Sequence, residues 1–96
     1  MKTIFVGRHL GAKEWVEKQG YQIDEWVEHL DLKHFVSGDH VIGTLPIQLA
    51  AEVCRLGGRY FHLEMHVPFD KRGHELSCEE LEQLDAKLTE FIVERL

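Results

Sequence analysis

Cysteine, proline, long apolar runs and net positive charge are all scarce in this chain, and each scarcity removes a class of protein. Two cysteines, Cys54 and Cys78, lie far apart and form no metal-type pair. They cannot build a disulfide framework, so a reducing cytoplasm is the expected setting. No stretch approaches the roughly 18–20 apolar residues that span a bilayer, which argues against a membrane partner. No secretory leader is expected either, because Met1-Lys2-Thr3-Ile4-Phe5-Val6 runs at once into a strand-like segment. Lysine and arginine total 11 against 17 aspartates and glutamates, a net charge of −6. The average surface therefore repels DNA and other large polyanions, and only a local basic patch or a cleft for a small nucleotide escapes that objection. There is no glycine-flanked Ser or Cys elbow for acyl chemistry. No pair of acidic residues stands out, since Glu79, Glu80 and Glu82 decorate a helix face.

What is present is an ordinary globular composition of 96 residues, 44% hydrophobic and 29% charged. It fits a single domain, residues 1–96, with a modest core and no internal repeat or linker. Thr3–Gly7 reads as a buried strand and Ala12–Gln19 as an amphipathic helix with Ala12, Trp15 and Val16 on its apolar face. Tyr21–His29 reads as a more polar, edge-type strand. A polar stretch, 31–39, carries one helical turn around Leu32–Val36. The centre of the chain is His40–Gly43 as a strand, the corner Gly43-Thr44-Leu45-Pro46, and a helix over Leu45–Leu56 that Gly57-Gly58 stops. Arg59–Val67 alternates, with Phe61, Leu63, Met65 and Val67 on one face and Tyr60, His62, Glu64 and His66 on an exposed one. Ser77-x-x-Glu80 is a capping box that opens a long final helix with Leu81, Leu84, Leu88, Phe91 and Ile92 on one stripe. Trp15 and Trp26 read as core or interface anchors, and Cys54 as a small core residue.

Strands alternating with helices predict an α/β fold with a mainly parallel sheet flanked by helices. Ligands of such sheets sit beyond the carboxyl ends of the strands. The residues gathered there are Gly7, Arg8 and His9 after the first strand, His29 after the second, the Gly43, Thr44, Leu45, Pro46 corner, and His66 with the segment to Lys71 and Arg72. The corner places Thr44 as an N-cap and Pro46 near the first helical position, a geometry that presents backbone N–H groups to an anion. Arg8 supplies a permanent charge with a fork that matches phosphate. The imidazole of His9 can move a proton or donate a hydrogen bond. Lys71-Arg72-Gly73 is either a lip closing on an anion or a solvated turn. The plainer alternative has Arg8 paired with a surface carboxylate and His9 capping a helix. Seven histidines raise the question of a metal, but His62, Glu64 and His66 spread over roughly 13 Å of strand, too far to share one ion. No metal or cofactor is expected. His34, His40 and His74 read as loop or strand-edge residues.

The ordered set Gly7-Arg8-His9-x-Gly11-Ala12, Glu14-Trp15, His29-Leu30-Asp31, Gly38-Asp39, Gly43-Thr44-Leu45-Pro46, Leu49-Ala50-Ala51-Glu52-Val53 and Arg72-Gly73-x-Glu75-Leu76-Ser77 resembles the Csx-sixteen family, accessory proteins of type III CRISPR systems. The likeness runs from the first strand to the start of the last helix. It implies a small Rossmann-like fold related to cyclic-oligoadenylate sensor (CARF) domains, a homodimer, and a ring nuclease that degrades cyclic tetra-adenylate to end antiviral signalling. The alternative kept beside it is a module that binds or sequesters the cyclic nucleotide without cutting it. For the ring-nuclease reading, the residues expected to act on the phosphodiester are Arg8, His9 and His66, with Gly7, Gly43, Thr44, Leu45, Pro46, Lys71 and Arg72 binding it.

Overall fold

In the computed structural model, which describes every residue except Phe69, Lys71, Arg72 and His74, five strands form one sheet in the order β2-β1-β3-β4-β5. The elements in chain order are β1 (Thr3–Val6), α1 (Leu10–Lys18), β2 (Glu25–Val27), β3 (His40–Gly43), α2 (Ile47–Arg55), β4 (Arg59–Glu64), α3 (Cys78–Gln83) and β5 (Lys87–Phe91). A 3₁₀ turn, Leu32–His34, precedes β3, with the Asp31 carboxylate accepting from the Lys33 N–H. The first four strands are parallel, with Phe5 opposite Trp26 in β2 and opposite Ile42 in β3. This mostly parallel, helix-flanked sheet is the α/β architecture read from the alternation, and it is compatible with a Rossmann-like fold.

The strand order reverses at β1. The chain passes from β1 to β2 on one side, then returns to lay β3 on the other. Right-handed crossovers then send successive helices to opposite faces. Phe5, Ile42 and Leu63 pack with Trp15 and Val16 of α1 and Leu81 of α3 on one face. Val41 and Tyr60 pack with Ala50 and Val53 of α2 and with Leu45 on the other. Covering both faces is what makes parallel strands read as continuous apolar runs. Asp39, 1% exposed, ties the base of the sheet together. Its carboxylate accepts from the Lys2 N–H at 3.0 Å and the Val36 N–H at 3.1 Å.

Three expectations are corrected. The final helix is short: the capping box of Ser77 and Glu80 is present, but α3 ends at Gln83 and the chain turns through Asp85 at φ 56°. Residues 87–91 then pair antiparallel with β4, Leu88 opposite Leu63. The stripe of Leu84, Leu88, Phe91 and Ile92 fits a helix by spacing. The open edge of β4 offers those backbone groups a ladder instead, and Arg59 grips Glu90 across it through two contacts of 2.7 Å. Second, Tyr60 is not exposed; it is 3% accessible, because α2 lies over its face of β4. Third, β2 is only three residues long. Asp24 caps its start by accepting the Thr3 N–H at 2.7 Å, and the acidic residues around Trp26 do not extend the ladder. Cys54 is only partly buried; Trp15 is core, and Trp26 lies half-exposed on the edge strand.

Candidate functional site

The reversal of strand order leaves a crevice between the carboxyl ends of β1 and β3, where α/β sheets bind ligands. A cavity of about 200 Å³ opens there. Val6, Gly7, Arg8 and His9 line one side and Gly43 and Thr44 the other, with Leu63, Met65, Leu76 and Leu81 behind. Two glycines shape it. A Cβ on Gly43 would come within 2.7 Å of the Val6 carbonyl oxygen, so only glycine lets β1 and β3 keep this spacing. A Cβ on Gly11 would collide with the Leu76 carbonyl oxygen. That bare turn of α1 lets the segment before α3 close the back wall.

Arg8 stands at the mouth with 71% of its side chain exposed and a loose 3.9 Å approach to Glu28. The surface pairing expected as the plainer alternative is therefore present. It is too long and too wet to hold the guanidinium strongly, so the fork can turn to another anion. His9 is the N-cap residue of α1 by backbone position, and its side chain makes no capping bond. Its Nδ1 lies 3.6 Å from Glu75. Thr44 is exposed at the opposite lip.

The corner differs from expectation in its details. Pro46, not Thr44, occupies the N-cap of α2, and no side chain caps that end. The Pro46 carbonyl accepts from Leu49 and Ala50. The Ile47 and Gln48 amides are left as the open donors of this terminus among the described residues, both at exposed positions. The Leu45 N–H is not open to a ligand. It donates to the Tyr60 hydroxyl at 2.9 Å, which also lies 3.2 Å from the Gly43 carbonyl and 2.6 Å from His62 Nδ1. The arrangement that satisfies all of them has a proton on His62 Nδ1 donating to the phenol and the phenol donating to Gly43. Burial pushes the Tyr60 phenol above its ordinary value, with the Leu45 N–H opposing. The corner is thus braced from below by a buried tyrosine.

The crevice brings together Gly7, Arg8, His9, Gly43 and Thr44. Leu45 lies beneath it in the core, and Pro46 stands outside at the head of α2. His66 does not line it. This histidine lies past the end of β4, in a separate shallow depression with Glu64, Leu84, Asp85 and Lys87. His29 is 91% exposed on the β2 side. Lys71, Arg72 and His74 lie outside the described residues. Among the described residues, no group of three His, Cys, Asp or Glu is placed to hold a metal ion, and no helix is long and apolar enough to cross a membrane. The apolar back wall and the Tyr60–His62 brace escape the sequence reading. The brace had one legible sign, the strict alternation of β4.

A family model described as "Putative CRISPR-associated protein (Cas_VVA1548)" matches residues 4–94. No curated protein and no solved structure matches the chain.

Proposed function

The chain belongs to the Cas_VVA1548 family of CRISPR-associated proteins, and from that premise we propose that it is a ring nuclease acting on cyclic tetra-adenylate in type III CRISPR signalling. The observation that carries the reading is the crevice at the strand-order reversal, with Arg8 and His9 facing Thr44 across its mouth. The resemblance of the Gly7-Arg8-His9 and Gly43-Thr44-Leu45-Pro46 stretches to the Csx-sixteen family supplies the substrate.

The reaction needs no group beyond this chain and water. A ribose 2′-oxygen attacks the adjacent phosphorus; the new O2′–P bond forms as the P–O5′ bond breaks. The 2′-proton passes to a base, the departing 5′-oxygen takes up a proton, and a 2′,3′-cyclic phosphate remains. Arg8 holds the charge that builds on the phosphoryl oxygens. His9 moves a proton in this step. At about 200 Å³ the cavity lies below the ~300 Å³ where drug-sized sites begin. A four-nucleotide ring therefore lies across the mouth. Two copies about a two-fold axis would present the loops twice to a ring of matching symmetry.

The test is incubation of the purified protein with cyclic tetra-adenylate and excess chelator, followed by chromatography. Linear products ending in 2′,3′-cyclic phosphate are expected, with Arg8→Ala slowing turnover about 10- to 100-fold, the worth of a charged hydrogen bond. Intact ring recovered after long incubation at excess protein would overturn cleavage, and tight binding of that ring would leave the sequestering module in its place.

A further inference from the structure

We infer that Trp26 is the base-stacking platform of this site: a purine of the bound nucleotide lies on its indole while the attached phosphate reaches Arg8. The inference rests on the nucleotide-binding reading above and deepens it. Trp26 sits on the edge strand β2 directly opposite Phe5, which lines the crevice. It shares the sheet face of α1. The residue is 42% exposed, an unusual place to leave the largest apolar side chain when a core lies one strand away.

The indole is also fixed in orientation. Its Nε1–H donates to the Gly7 carbonyl at 2.7 Å, and Gly7 is the residue before Arg8 on the cavity wall. An exposed tryptophan anchored by its only polar atom has lost its rotamer freedom before any ligand arrives, which lowers the cost of stacking. Lys13 of α1 stands over the ring, its Nζ 5.4 Å from the centroid. The same ammonium is shared with Glu17 at 3.2 Å, an exposed i,i+4 pair worth little. A purine can displace it from the indole and release it to a phosphate. An aromatic face with Lys13 over it, anchored to the residue that precedes Arg8, is the combination that holds single-stranded nucleotides: stacking for the base, cations for the backbone.

The test uses two readouts. Trp26 becomes the sole indole in a Trp15→Phe variant, since the chain has two tryptophans. Cyclic tetra-adenylate is expected to quench its emission, and ribose 5-phosphate, which has no base, is not. In otherwise wild-type protein, Trp26→Ala should weaken binding of cyclic tetra-adenylate about 5- to 150-fold per stacked base. Trp26→Phe keeps an aromatic face but loses the N–H to Gly7, and should recover most of the affinity. If Phe and Ala weaken binding equally, the side chain merely positions the Gly7–Arg8 turn and the inference falls. It also falls if the ring binds without quenching, an outcome that leaves the nuclease reading standing. Equal quenching by linear oligoadenylate, with no preference for the ring and no cleavage, would instead keep the platform and remove the ring nuclease. Should Trp26→Ala fail to fold, the quenching and the Phe variant still decide.

Discussion

Replacing Tyr60 with phenylalanine removes one oxygen and strands three groups: the Leu45 N–H, the Gly43 carbonyl and His62. The buried amide alone makes the change cost about 1–3 kcal/mol, measurable by urea denaturation. The same phenol also gives the protein an alkaline limit. Burial raises its pKa above the ordinary value near 10, so the folded state keeps a proton that the unfolded chain releases. The stabilisation is complete below the ordinary value and is lost as pH rises through the raised one. Wild-type stability should therefore fall above about pH 10 more steeply than that of Tyr60→Phe, as read from denaturation midpoints across that range. Asp39 is the counterpart at the other end of the sheet. Asp39→Ala leaves the Lys2 and Val36 amides without their carboxylate and should lower stability by about 1.5–3 kcal/mol, with Asp39→Asn losing less.

At the scale of elements, the turn at Asp85 decides whether residues 87–91 are strand or helix. Its φ of 56° is open to Asp, Asn and Gly but costs a β-branched residue about 1–2 kcal/mol. Asp85→Val should lose that much while Asp85→Gly should not, a contrast that thermal melts resolve. This element was also the least legible in the sequence. Leu81, Leu84 and Leu88 are spaced as well for a helix as for a short helix followed by a strand, and what chooses is the open edge of β4, a non-local partner. By contrast β3 and α2 were legible because their signals are local: an apolar run, a proline at the helix start and two glycines at its stop. The candidate site divides the same way. Arg8, His9, Gly43 and Thr44 were found because the ends of parallel strands converge by rule. The wall of Leu63, Leu76 and Leu81 reads as core in one dimension, and only the packing leaves a hole beside it. Gly11 contributes to that wall from α1, so Gly11→Ala should displace Leu76 and lower both the melting temperature and ligand affinity.

For the molecule as a whole, a ligand four nucleotides around is larger than the crevice one chain provides. Light scattering with cyclic tetra-adenylate present is expected to give about twice the 11.2 kDa of the chain, and a monomeric complex would remove the two-fold arrangement. On the proposed function, a net charge of −6 would slow encounter with such a ligand through the overall field, and affinity would rest on the few cations at the mouth. The place of β1 inside the sheet, between β2 and β3, has a further consequence, in time rather than space. β1 is made before both of the strands that flank it, and the cavity behind its end is walled by Leu76 and Leu81. At about 5–20 residues per second of synthesis, roughly 4–15 s separate the making of the Arg8 lip from that of the wall opposite. The crevice is thus finished among the last parts of the fold, and a growing chain carries its cations for seconds before it has a pocket in which to use them.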